Sequence, residues 1–124
     1  MVETGATAEV TWTVTESDTA IAQGSGSVPV FATPRLVALC EAAAVASVAP
    51  MIGDEQTTVG ARIEIDHLAP SVVGATVSAT ATLTEVDGRR LTFEVIAHEG
   101  EKLIGRGTHD RVAIDEARFL ASLP

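Results

Sequence analysis

A chain of 124 residues, 46% of them apolar and without a low-complexity tract, is one ordinary domain over residues 1–124 with a single core. Its formal net charge of −9 excludes general nucleic-acid binding, which needs Lys and Arg in excess to neutralise phosphates. The one cysteine excludes an internal disulfide. No run reaches the roughly 18 apolar residues of a bilayer span, and the acidic, Thr-rich start is not a signal peptide, so a cytoplasmic chain with no membrane partner is expected.

Residues 7–14 alternate, with Ala8, Val10, Trp12 and Val14 opposite a polar row, and predict a strand. Residues 17–29 contain GSGS and read as a connection holding one short strand at 20–22. Thr33 before Pro34 is a helix-start signal, the Thr hydroxyl capping a free N–H, and Pro50 and Gly53 stop the helix near Ala49. Between Leu36 and Ile52 the only charged residue is Glu41. A helix apolar on every side has no solvent face and must be surrounded.

Its cover is read from the second half. Residues 59–68 place Val59, Ala61, Ile63, Ile65 and His67 on one face, and residues 76–86 set Val77, Ala79, Ala81 and Leu83 against a Thr/Ser row. Asp87-Gly88 is a tight turn, and the return strand at 90–98 turns Leu91, Phe93, Val95 and Ala97 inward. Gly105 and Gly107 point to a bulge within residues 102–114, and residues 115–123 to a short helix. The expected fold is α+β, an antiparallel curved sheet wrapped around one central helix, which is the hotdog arrangement.

Glu41 is the first candidate for chemistry, because ionising a carboxylate in an apolar helix costs several kcal/mol unless it is paired. His67 lies on the apolar face of its strand and points toward that helix, so each could satisfy the other, as a structural pair or a reacting one. Thr33 is explained as a cap; it also lies eight residues from Glu41, or roughly 12 Å along a regular helix. Cys40 reads as a core thiol, and His98 as solvated on an outer face. The bulge leaves the direction of His109 unreadable. No metal-binding cluster is apparent.

VFAT (Val30–Thr33), Glu41, His67, DGRRLTFEV (Asp87–Val95) and IGRGTHDR (Ile104–Arg111) together resemble the fluoroacetyl-CoA thioesterase-like hotdog proteins over about residues 30–119. The resemblance implies hydrolysis of a small or medium acyl-CoA thioester at a homodimer interface. It implies a catalytic set of Thr33, Glu41 and His67, with the Gly60 N–H facing the thioester carbonyl and Arg111 near the site. Coenzyme A is part of the substrate, so no cofactor is expected. Arg89, Arg90, Lys102 and Arg106 are candidates to meet its phosphates. An alternative of another class is a non-catalytic acyl-CoA-binding protein with the same pocket. The fluoroacetate-specialised form has an aromatic-rich segment before its VFAT counterpart; Thr15–Pro29 has none, and Pro34 and Arg35 also depart, so selectivity for a fluorinated acyl group is not implied.

Overall fold

The apolar run that holds Glu41 becomes the axis around which the sheet is built. In the computed structural model, which describes residues 2–124, the order is β1 (Thr7–Thr13), α1 (Ala20–Gln23), α2 (Thr33–Val48), β2 (Gln56–His67), β3 (Thr76–Asp87), β4 (Arg90–Glu99), β5 (Lys102–Asp115) and α3 (Glu116–Ala121). The five strands form one antiparallel sheet in the order β1-β3-β4-β5-β2. Helix α2 buries Leu36, Leu39, Cys40, Ala43, Ala44, Ser47 and Val48. Its apolar partners are the inward rows of β3 and β4, Val77, Ala79, Ala81 and Leu83 with Leu91, Phe93, Val95 and Ala97. Each large apolar side chain so buried contributes about 1.5–3 kcal/mol, which makes this contact the main stabiliser of the fold. Gly88, at φ +61°, makes the β3–β4 turn, a backbone conformation that other residues adopt only with strain.

Several expectations are corrected here. Residues 20–22 are helical, not a strand: Thr19 caps the turn by accepting from the Ala22 N–H at 3.3 Å, and Gly24 closes it at φ +70°. Thr33 is not the cap of α2. Ala32 holds that position with extended backbone, and Thr33 is the first helical residue, its hydroxyl engaged elsewhere.

Helix α2 also has an open face, contrary to its apolar pattern: Val45 is 43% exposed, Ala46 is exposed, and Glu41 is half-buried. Together with the following turn, Thr33–Met51 spans 19 residues at a mean hydropathy of 1.3, long and apolar enough by length and composition to cross a membrane, which corrects the expectation that no segment qualifies. In this fold the segment is instead the core helix of a sheet.

The inward row of β2 shifts as well. Its register with β5 slips between Gly60 and Arg62, so Ala61 is an extra residue, a β-bulge. One added residue flips the alternation upstream of it. Thr58 and Gly60 therefore point inward in place of Val59 and Ala61, while Ile63, Ile65 and His67 keep the expected face.

Candidate active site

Two polar clusters lie along α2, and the candidate residues are divided between them. At the start of the helix, Thr33 Oγ1 and His67 Nδ1 are 2.8 Å apart, a hydrogen bond that joins the first residue of α2 to the last of β2. They share the wall of a cavity of about 280 Å³ with Val30, Leu68, Ala69 and Pro70. His67 Nε2 is buried and has no protein hydrogen-bond partner. Burial holds the imidazole below its ordinary value of 6.5, so the ring is neutral at pH 7.

Halfway along the helix, Glu41 Oε2 accepts from Arg111 Nη1 at 3.0 Å. Arg111 is buried, and its remaining contacts fix it in place: Nε donates to Thr58 Oγ1 at 2.8 Å and Nη2 to the Thr58 carbonyl at 3.0 Å. Gly60 forms the floor beneath Glu41. A Cβ at Gly60 would stand 2.8 Å from Glu41 Oε2, so the missing side chain is what lets the carboxylate lie against β2. The bulge at Ala61 thus shapes this cluster, since it turns both Thr58 and Gly60 toward the helix.

The direct pair expected between Glu41 and His67 does not form within one chain. Among the described residues Glu41 pairs with Arg111, and the histidine nearest to pairing with it is His109, whose Nε2 is 3.9 Å from Oε2. Both ends of the helix segment are regular, so eight residues separate Thr33 from Glu41 by roughly 12 Å along its axis. Neither is Glu41 the fully desolvated carboxylate that its sequence context implies. Its side chain retains 40% exposure, while Arg111 supplies the pairing charge.

His109 is the site residue whose orientation the sequence left open. It is 2% exposed and sits on the inward row of β5, two residues from Arg111. Cys40 is a core thiol, pushed up to about 12 by burial and by the adjacent Glu41, which removes it as a nucleophile at neutral pH. Of the phosphate candidates, Arg90 is already engaged, with Nε and Nη2 both donating to Asp110 Oδ2 at 3.2 and 2.8 Å. Arg89 lies in the β3–β4 turn, where its carbonyl accepts from Ala113. Lys102 Nζ donates to the carbonyl of Pro70 at 3.1 Å, on the rim of the Thr33–His67 cavity. Arg106 lines a separate depression with Asp66 and Glu94.

Two histidines held below 6.5 by burial carry a stability consequence. Between the lowered folded value and 6.5 the unfolded chain binds more protons than the folded one, so stability is present at neutral pH and is lost as pH falls below 6.5. Asp18 and Asp110 act in the same direction at lower pH. Burial raises both carboxyls, but hydrogen bonds from Thr15 and Arg35 to Asp18, and from Arg90 and Thr92 to Asp110, outweigh it and hold them below 3.8. Thermal melting followed by circular dichroism is expected to give a midpoint that declines steadily from pH 7 to pH 5, and a flat profile would contradict the burial of these rings.

One long helix lying on a five-stranded antiparallel sheet, with polar groups placed along the helix and the inner end of β2, defines a hotdog-fold protein. The family model described as "Fluoroacetyl-CoA-specific thioesterase" matches residues 14–117, and the chain belongs to that family. It is 42% identical over 94 residues to the fluoroacetyl-CoA thioesterase of Streptantibioticus cattleyicolor, covering 76% of this chain and 68% of that protein. Among solved structures it is similar to a mutant of the fluoroacetyl-CoA-specific thioesterase in complex with fluoroacetate and CoA, with a TM-score of 0.87, 35% identity, and coverage of 95% and 99% of the two chains. It is also similar to a thioesterase superfamily member from Thermus thermophilus, with a TM-score of 0.89, 27% identity, and coverage of 98% and 90%.

Proposed function

We propose that this chain is an acyl-CoA thioesterase that hydrolyses a small or medium acyl-CoA to the free acid and CoA at a site shared by two copies. In this reading Thr33 and His67 of one subunit face Glu41 of the partner subunit across the bound thioester. The observation that carries it is the division of the three residues. Thr33 and His67 touch, Glu41 lies about two helical turns away with its own support, and on the helix between them Val37 and Ala38 are only half-buried. A second copy closes such a gap with no distortion of the helix. Two further features favour it: β2 lies at a free edge of the sheet, and the uncovered face of α2 is apolar around Val45 and Ala46. A helix that lies on a sheet with its apolar face against a partner is a core element, which favours a soluble dimer over a membrane span.

The chemistry follows from the groups. Glu41 acts in one of two ways: its carboxylate attacks the carbonyl carbon to give a mixed anhydride, which water then hydrolyses to the free acid and the regenerated carboxylate, or it takes a proton from a water that attacks the carbonyl carbon directly. The C–S bond breaks, and the departing sulfur takes up a proton and leaves as the CoA thiol. Thr33 holds Nδ1 of His67, which leaves the unpartnered Nε2 to meet the substrate and move that proton. The Gly60 N–H faces the carbonyl oxygen, where charge develops. Water is the co-substrate, so the reaction draws on no cofactor beyond the CoA that the substrate carries. The region Thr15–Pro29 supplies no aromatic side chain to the cavity mouth, and the reading includes no preference for a fluorinated acyl group.

The test is release of free thiol from a panel of acyl-CoAs of increasing chain length by the purified protein. Turnover of one or more, lost in Glu41→Gln and in His67→Ala, is the expected result. Turnover that survives both substitutions would remove the site, and binding without turnover would make the chain an acyl-CoA-binding protein.

A further inference from the structure

Arg111 is the charge that meets Glu41, and what holds Arg111 is only partly explained by Thr58. Its Nη1 lies 3.0 Å from Glu41 Oε2 and 3.2 Å from His109 Nε2. A guanidinium has five N–H donors, no acceptor, and a permanent charge, so at the second contact the imidazole must be the acceptor. Nε2 is then unprotonated, and the ring's proton is on Nδ1. That atom lies 2.7 Å from the carbonyl of Arg62, to which Nδ1–H donates. The Arg62 carbonyl adjoins the bulge at Ala61, where the regular β2–β5 ladder is interrupted. The ring has no freedom to turn away. It is 2% exposed and packs on Phe93 with centroids 6.2 Å apart.

We propose that His109 is a positioning residue: its unprotonated Nε2 holds Arg111 Nη1 in the place where it meets Glu41, and the Arg62 carbonyl keeps the ring in the tautomer that can do so. The proposal rests on the reading of Glu41 as the reacting carboxylate. His109 touches neither substrate nor the reacting atoms; it acts through Arg111. The groups facing the ring are Arg111 and Asp110 from β5, Glu41 from α2 and the backbone of Arg62 from β2. A proton on Nε2 would set two cations against each other and end the Arg111 contact. Burial, which holds the ring below 6.5 and is reinforced by the Arg111 charge, keeps it in the accepting form at neutral pH.

The competing account is that the ring only ties β5 to β2 through the Arg62 carbonyl. The two are separable because Gln and Asn mimic opposite sides of imidazole. Gln places an acceptor where Nε2 stood, whereas Asn places a donor where Nδ1–H stood. Under the proposal, His109→Gln keeps kcat within about threefold of the native chain, while His109→Asn and His109→Leu lose about tenfold or more with KM moved less than about twofold. Retention by Asn with loss in Gln would overturn it, as would native kcat in all three. If the Leu variant does not fold, the Gln and Asn pair still decides.

A second measurement does not depend on turnover. The chain has three histidines, so long-range proton–nitrogen spectra of the labelled protein, assigned against His109→Gln, resolve each ring. His109 is expected as the Nδ1–H tautomer from about pH 6 to 8. An Nε2–H tautomer, or a ring that titrates near its ordinary value, would overturn the proposal. An inactive protein with the Nδ1–H tautomer would instead overturn the thioesterase reading and leave the positioning of Arg111 in place.

Discussion

Glu41→Gln and His67→Ala each lose at least about a hundredfold in kcat, yet a mixture of the two, unfolded and refolded together in equal amounts, regains about a quarter of native activity. The quarter follows from a shared site. Half of the randomly paired dimers hold one variant of each kind, and in such a dimer one of the two sites draws Glu41 from the His67→Ala subunit and His67 from the Glu41→Gln subunit. That site is intact, and its opposite carries both defects. Sites contained within one subunit give no such recovery, because every one of them retains its defect. The geometry behind the prediction is the separation of the two clusters along a regular helix, with Thr33 bonded to His67 at one end and Glu41 bonded to Arg111 in the middle. Thiol release measured on the mixture, beside a size measurement that shows mixed dimers, settles it. No recovery in the presence of those dimers would place the whole site in one chain.

Glu41 owes its place to a distributed arrangement. A carboxylate in an Ala-rich helix is costly only when its surroundings give it nothing, and here a bulge in β2 turns Gly60, which has no side chain to block it, toward Glu41 and turns Thr58 inward to seat Arg111. Arg111 then pairs with Glu41 from a buried position, where a guanidinium is stronger than on the surface. The partial exposure of Glu41 leaves the carboxylate reachable from the open face of α2.

Strands β3 and β4 were legible residue by residue, because their inward rows alternate without interruption from Val77 to Leu83 and from Leu91 to Ala97. The central helix was legible from Pro34 and Pro50, and its need for a surrounding sheet from its composition. What the sequence hid was set by tertiary contact. Thr33-Pro34 has the pattern of a cap, yet the hydroxyl is drawn to His67, a partner 34 residues away that no local rule reveals. The bulge at Ala61 directly follows Gly60, but the apolar alternation of the strand continues on either side of it, so period two ran straight through and put Val59 where Thr58 belongs. His109 was obscured for the opposite reason, since the glycines before it advertised an irregularity whose position they did not fix. The open face of α2 was hidden because its exposed residues, Val45 and Ala46, have the composition of a core.

The largest structural effect is expected from Gly107→Ala, a change of one methyl group that should lower the melting temperature by roughly 10 °C or more. A Cβ at this position would collide with the backbone carbonyl of Glu64 and come within 2.8 Å of the Ile65 Cα. A flexible side chain could move aside at little cost, but these are main-chain atoms of β2 held in register, with Ile65 opposite Gly107 itself. Relief therefore requires the β2 and β5 strands to part. Those strands carry His67 at one end of the pairing and Gly60 opposite Arg111 near its middle, so both polar clusters shift with them. Gly105→Ala is the internal comparison. Its Cβ would meet the Leu36 side chain at 2.8 Å, but also the Asp66 carbonyl at 3.2 Å, a contact that needs a smaller adjustment. The melting midpoint should fall further for Gly107→Ala than for Gly105→Ala, with thiol-release activity lost in the same order. Equal and small losses would mean that the pairing of β2 with β5 yields easily, and that the positions of His67 and Arg111 are held by the helix and not by the ladder between the strands.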